Sequence, residues 1–182
     1  MRAHSDRLSA WATIQPAGRP PDILAELHRA REEGLSGLGE LSPHSVGVRC
    51  DAPGLAEALA CAAEWGWGVN LHVTDPGGRA YPGKIETPAE DLVALARAWP
   101  TVRFTLAHWA GGFDVRELRN VWVDTAAAPL LYRTKAWARG AQMTRPEQVL
   151  FGSDYPLRLL PGMDAAAGWS AFAAEARQRA GS

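Results

Sequence analysis

The sequence predicts an α/β domain built on a parallel sheet, and three observations carry that prediction. Short apolar, β-branched or aromatic runs alternate with longer segments of helical period, the alternation expected of βαβ units. The helical segments carry recognisable start and stop residues. Successive apolar runs also end in a histidine or a carboxylate, which fits strands that deliver side chains to one edge of a sheet.

Six strands are predicted: Leu8–Ile14, Leu35–Glu40, Gly68–Val73, Val102–His108, Val121–Asp124 and Val149–Ser153. Between the first two, Pro20 and Pro21 open a helix whose apolar stripe is Ile23, Leu24, Leu27 and Ala30, with Gly34 placed as its C-cap. Asp51 and Pro53 open a second helix, which runs through Leu55, Leu59 and Ala62 and ends near Gly66. Thr87-Pro88-Ala89-Glu90 reads as a capping box with proline at the first helical position. Leu92, Leu95 and Trp99 then face inward, and Pro100 stops that helix. Weaker helices are predicted at Asp114–Asn120 and Thr134–Met143, and a last one from about Asp164 towards Arg179. The Gly- and Pro-rich segment Asp75–Glu86 is a long loop directly after a strand, at the ligand-binding edge of such a sheet.

A chain of 182 residues is long enough for one domain with a real core, and no linker or low-complexity stretch divides it. The formal net charge of −1 leaves no basic field for nucleic acid or anionic lipid. Cys50 and Cys61 form neither a disulfide framework nor a C-x-x-C pair and read as reduced thiols. The segment Met1–Trp11 lacks the apolar run of a secretory leader, and no apolar stretch approaches membrane-spanning length. The expectation is a soluble, cytoplasmic protein.

Glu40, His72, His108, Asp124 and Asp154 fall at the ends of five consecutive predicted strands, so a parallel sheet would bring them together. Imidazoles and carboxylates are the ligands that zinc, manganese or iron takes. His28, mid-helix beside Arg29 and Arg31, reads as a surface residue, and His44 as a turn residue. Asp124 reads as a cap for the turn through Thr125. Trp109 beside His108, Lys84 in the long loop and Arg158 past Asp154 are the candidates for touching a substrate.

Five phrases occur in order: Gly39-Glu40, Asn70-Leu71-His72-Val73-Thr74-Asp75-Pro76, Leu106-Ala107-His108-Trp109-Ala110-Gly111-Gly112, Val123-Asp124-Thr125 and Leu150-Phe151-Gly152-Ser153-Asp154-Tyr155-Pro156. Together they resemble the metal-dependent hydrolases of the amidohydrolase superfamily, in the amidohydrolase-related branch that also holds decarboxylases of aromatic or unsaturated acids. The likeness runs from about Leu8 to Pro161. It implies a (β/α)8 TIM barrel, here incomplete, with about six βα units recognisable and the first two strands missing. It implies that His72 binds metal, that His108 binds a second metal or polarises substrate, and that Asp154 touches the metal and shuttles the proton. Glu40 matches a bridging or further metal carboxylate. The family's His-x-His pair has no counterpart, since no two of His4, His28, His44, His72 and His108 are so spaced.

The implied cofactor is a divalent ion, Zn2+ first, with Mn2+ and Fe2+ as alternatives. The implied reaction is attack of a metal-activated water on a carboxylic ester, lactone or amide of a small molecule. Non-oxidative decarboxylation, or a non-catalytic relative, are the alternatives. An opened barrel would also leave strand edges for a second copy to cover as a homodimer.

Overall fold

Five strands lie side by side in the order of the sequence, all parallel: β1 (Gly37–Leu41), β2 (Gly68–Leu71), β3 (Arg103–Leu106), β4 (Val121–Asp124) and β5 (Val149–Leu150). They belong to a computed structural model that describes residues 4, 6–78, 80–132, 136–160 and 162–180. Helices α1 (Pro20–Glu32), α2 (Pro53–Trp65) and α3 (Ala89–Ala98) surround the first three strands. A single turn, α4 (Ala107–Ala110), follows β3, and α5 (Ala128–Tyr132) and α6 (Ala136–Met143) follow β4. Helix α7 (Ala165–Ala180) comes last. This is an α/β barrel left open.

The register explains how the two faces of the sheet differ. Leu38, Val69, Phe104 and Val121 form one row across the strands, and Leu41, Leu71, Leu106 and Val123 form another. Both rows are buried in one core with Leu27 of α1, Leu55 and Leu59 of α2, and Leu92 and Leu95 of α3. Alternate side chains of a strand point to opposite faces. The intervening row, Asn70, Thr105 and Trp122, therefore points the other way and is only partly buried. That inner face leads up to His72 and Asp124.

The helices form where their apolar stripes and end residues place them. Pro20 and Pro21 fill the first positions of α1, where an amide donor has no partner in the helix, and Gly34 takes a left-handed φ of 85° just past its end. Gly66, at φ 68°, closes α2 by donating to Ala62 O. Thr87, by contrast, caps nothing. Its hydroxyl accepts from the backbone N–H of Thr74 at 3.0 Å, so the expected capping box does not form and α3 starts after Pro88.

Several elements are shorter than expected, each for a physical reason. The strand expected at Leu8–Ile14 is a single bridge, Ala12 to Leu38, held by Ala12 N to Gly37 O at 2.8 Å and Gly39 N to Ala12 O at 2.7 Å. It has a ladder on one side only, and Leu8 and Trp11 stay exposed. Segment 114–120 forms turns rather than a helix, with Asp114 Oδ1 accepting from Arg116 N at 3.1 Å. Helix α5 was not anticipated, and of the predicted Thr134–Met143 helix, residues 136–143 are helical and residues 134–135 lie outside the described residues. No helix of the described residues is long and apolar enough to cross a membrane. Cys50 and Cys61 are free and buried, and burial, with Asp91 and Asp51 nearby, pushes the Cys50 thiol up to about 11.

Two side-chain amides lock the lower end of the sheet. Asn120 Nδ2 reaches Ala96 O, Trp99 O and Val102 O, each at 3.0 Å. Gln148 is 2 % exposed, donates from Nε2 to Val115 O, Leu118 O and Val121 O, and accepts from Arg145 N at 2.8 Å. Leucine there would strip this contact from three carbonyls, of which Val115 O and Leu118 O keep the N–H groups of Leu118 and Val121, and would leave the Arg145 N–H without its acceptor. Gln148→Leu should therefore lower unfolding stability by about 2–3 kcal/mol. Urea denaturation monitored by tryptophan fluorescence checks this, and an unchanged midpoint would refute the role given to the amide.

Candidate metal centre

Glu40 reaches the site through a bulge. Leu38 pairs with Val69 but Leu41 with Leu71, so three steps of β1 answer two of β2. The extra residue turns the strand locally, as bulges beside functional sites do. Glycine is needed at this point: Gly39 has φ 139°, and a Cβ there would lie 2.6 Å from Asn70 O. The bulge delivers the Glu40 carboxylate to the ring of His72.

His72 sits one residue beyond β2, with its N–H donating to Leu41 O at 2.8 Å. Its ring has a partner at each nitrogen: Glu40 Oε1 lies 2.8 Å from Nδ1, and Thr74 Oγ1 lies 3.1 Å from Nε2. Thr74 is itself buried and tied to Thr87, so the ring is held at both ends.

His108 rests on an unusual backbone. His108, Trp109 and Ala110 have φ of 58°, 56° and 50°, and Gly111 and Gly112 continue the left-handed turn at 60° and 78°. A left-handed helical conformation costs a non-glycine residue roughly 1–2 kcal/mol, and such strain persists only where the surroundings impose it. Here three groups hold His108. Its N–H donates to Asp124 Oδ1 at 3.0 Å, its Nδ1 to Ala126 O at 3.0 Å, and its carbonyl accepts from Tyr132 Oη at 2.7 Å. All three come from the end of β4 and the segment after it.

These partners fix the tautomer of His108. Ala126 O can only accept, so Nδ1 carries the proton and Nε2 presents a lone pair. That Nε2 lies 3.2 Å from His72 Nδ1 and 3.9 Å from Glu40 Oε1. Both atoms facing His72 Nδ1 are acceptors, so Nδ1–H donates to Glu40 Oε1. A cation bound here would displace that proton, leave Nε2–H towards Thr74, and turn a second lone pair to the same point. Two imidazole nitrogens and a carboxylate oxygen then converge, all within 4.8 Å of one another. With that proton displaced, the three atoms can serve together as ligands to one cation. Among the described residues no other His, Cys, Asp or Glu group of three or more brings ligand atoms together in this way. The donor set suits Zn2+, Mn2+ or Fe2+.

The electrostatics agree with that arrangement. Burial alone would push the Glu40 carboxyl up, yet its hydrogen bond to His72 and the facing imidazoles hold it below its ordinary value. Asp124 goes the other way: burial raises its pKa, against the two N–H groups of His108 and Ala126 that bond its Oδ1. Asp124 thus caps the turn through Ala126 and faces the backbone of the site. Burial and the nearby Asp75 carboxylate raise the Tyr132 phenol well above its usual value, which keeps its proton in place as a donor.

A cavity of about 490 Å³ opens above the centre, lined by His72, Asp75, Lys84, His108, Leu131 and Asp154 with further apolar wall residues. Asp154, at φ 58°, lines this cavity but stands outside the three-residue cluster. Lys84 Nζ donates to Pro76 O and Gly78 O, both at 3.2 Å, and folds the long loop onto the cavity wall. Trp109 is buried edge-on against Trp137 at 5.2 Å and lines a different cavity. Arg158 is exposed. Thr74, the Ala126 carbonyl and Tyr132 were not foreseen, since each bonds the histidines through a contact that no motif spacing encodes.

An open parallel barrel with candidate metal ligands at its strand ends defines a class. The amidohydrolase profile matches residues 1–180, and the chain belongs to that family. Comparison with curated proteins returns no match. Solved structures share the fold. An uncharacterized TIM-barrel protein from Bordetella bronchiseptica superposes with a TM-score of 0.68 at 15 % identity, over 95 % of this chain and 61 % of its own. A probable 2-pyrone-4,6-dicarboxylic acid hydrolase from Acinetobacter baumannii, with citric acid bound, gives 0.58 at 16 % identity, over 98 % of this chain and 71 % of its own. A 5-carboxyvanillate decarboxylase from Novosphingobium aromaticivorans, complexed with manganese, gives 0.60 at 15 % identity, over 92 % and 62 %. The chain thus spans about three fifths of the first of these structures.

The clamp on His72 is open to test. Thr74→Val removes the hydroxyl facing Nε2 while keeping the side chain's shape, and should weaken Zn2+ binding by about 10–100-fold. Competition with a fluorescent chelator measures this. Wild-type affinity would exclude Thr74 as the orienting partner.

Proposed function

We propose that the chain carries the reaction centre of a metal-dependent hydrolase acting on a carboxylic ester, lactone or amide. The observation that supports this reading is the convergence of His72 Nδ1, His108 Nε2 and Glu40 Oε1 beneath a largely apolar cavity. In this reading the three residues hold a divalent ion, Zn2+ or, as in the manganese-bound decarboxylase, Mn2+. Such an ion supplies Lewis acidity and lowers the pKa of a water from about 15.7 towards ~7. His108 serves as a ligand rather than as a donor to an oxyanion, because its only proton is committed to Ala126 O. Asp154 takes the proton from the attacking water and returns it to the leaving group.

Lys84 anchors an anionic end of the substrate. Two of its three protons are committed to loop carbonyls, which leaves one for a ligand on the cavity wall. The 2-pyrone-4,6-dicarboxylic acid hydrolase and the carboxyvanillate decarboxylase are both named for acids, which fits a carboxylate-bearing substrate. The decarboxylases of this fold motivate a second reading, non-oxidative decarboxylation at the same centre. Release of carbon dioxide, rather than of an alcohol or amine, separates the two.

Metal analysis of the purified protein should find about one equivalent of zinc, manganese or iron. Adding each ion back to chelator-treated protein should restore binding. His72→Ala should lose the ion. Asp154→Asn should keep it and lose about 10²–10⁴-fold in turnover, the usual weight of a positioned acid–base group. A protein that binds none of these ions would sink both enzyme readings and leave a non-catalytic relative. Wild-type turnover in both variants would move the chemistry elsewhere.

A further inference from the structure

Tyr132 is placed where two ligand-bearing segments meet. Its hydroxyl donates to the carbonyl of His108 at 2.7 Å, inside the left-handed turn after β3. The same phenol faces Asp75 and Arg139. Asp75 lies three residues past His72 in the loop after β2; its side chain is 5 % exposed, and it accepts from Gly77 N at 2.7 Å and pairs with Arg139 Nη1 at 3.1 Å. Arg139 reaches Asp75 across the end of the turn: at Gly112, φ 78°, a Cβ would lie 2.3 Å from Arg139 Nη2. One phenol therefore bonds the turn that presents His108 and lies near the loop that leaves His72.

From this geometry we infer that Tyr132 is a positioning residue for the metal ligand His108. Its hydroxyl fixes the pitch of the left-handed turn and so the direction of the His108 ring. The inference rests on the metal-centre reading above. The other two holders, Asp124 and Ala126, grip the N–H and the ring of His108 from the end of β4. Neither constrains the carbonyl, the group whose orientation decides whether the next peptide continues left-handed. Tyr132 supplies that third point from α5.

The hydroxyl can be removed with little disturbance elsewhere. The ring of Tyr132 packs against the core and would stay there in Tyr132→Phe. The His108 carbonyl also accepts from Gly111 N at 3.0 Å, so the variant orphans no buried group. Loss of position and loss of fold are therefore separable.

The test compares Tyr132→Phe with wild type, both as the full chain. Zn2+ affinity, measured against a fluorescent chelator, should fall about 10–100-fold, the usual effect of removing a group that orients a metal ligand. The visible absorption bands of the Co2+-substituted protein should shift or lose intensity. Gln148→Leu, destabilised at an amide bonded to Val115, Leu118, Val121 and Arg145 rather than to His108 or Tyr132, should keep wild-type Co2+ bands. In metal-free protein the His108 Nδ1–H proton, held by Ala126 O, should exchange with solvent faster in Tyr132→Phe than in wild type. Unchanged affinity, unchanged Co2+ bands and unchanged exchange would overturn the inference. If wild type binds neither ion, the metal reading fails, and the exchange rate in metal-free protein still decides whether Tyr132 holds His108.

Discussion

The carboxylate of Asp124 is the fixed point on which the centre depends. One of its oxygens accepts two backbone N–H groups, from His108 and from Ala126, and so binds the turn after β3 to the turn after β4. Burial makes the ionised form expensive, which the raised pKa records, and the two N–H groups offset part of that cost. The arrangement sets two positions at once. Fixing Ala126 places the carbonyl that accepts from His108 Nδ1–H and so keeps the proton there, and fixing His108 N starts the backbone on its left-handed course. A glycine-free left-handed stretch does not form on its own merits. It forms here because β4 delivers Asp124 in register beside the end of β3.

That register also explains why the face that packs and the face that reacts do not compete. Two rows of leucine, valine and phenylalanine are wholly buried between sheet and helices, and they set the order and direction of the strands. The opposite face carries Asn70, Thr105 and Trp122 below and the ligand residues above. Only Glu40 needs help to join them. An uninterrupted β1 would leave it out of step, and the bulge at Gly39 supplies the missing residue of phase.

Much of this was readable in the sequence, and what was not has a common cause. The strand ends at Glu40, His72 and His108 were visible because each apolar run stops there; parallel topology brings them to one edge, but the bulge that turns Glu40 inward was not visible. The proline starts and glycine stops of α1 and α2 were equally plain, since they depend on neighbouring residues only. Thr87 misled because its hydroxyl can satisfy either its own helix or a distant N–H, and nothing local says that Thr74 competes for it. The left-handed turn was hidden for the same reason: Gly111 and Gly112 hint at it, but its three non-glycine residues obey Asp124 and Tyr132 from outside. Leu8–Ile14 has the composition of a strand, yet a strand also needs neighbours, and among the described residues its one bridge is Ala12 to Leu38, on the β1 side.

The separation of Asp154 from the three clustered residues fits a division of labour. A carboxylate that binds a cation spends its basicity on that bond, and one that moves a proton must keep it. On the proposed reading Glu40 is of the first kind: its oxygen sits against both imidazoles, and their contacts lower its pKa against burial. Asp154 is suited to the second. It lines the same cavity outside the cluster, as a proton carrier on the proposed reading should. Its left-handed φ of 58°, just ahead of Pro156, turns it there from a chain that has already left β5. On the proposed chemistry, exchanging the roles of these two carboxylates would leave the ion weakly held and the proton without a carrier. The positions of Glu40 and Asp154 are in that sense as much a part of the reading as their identities.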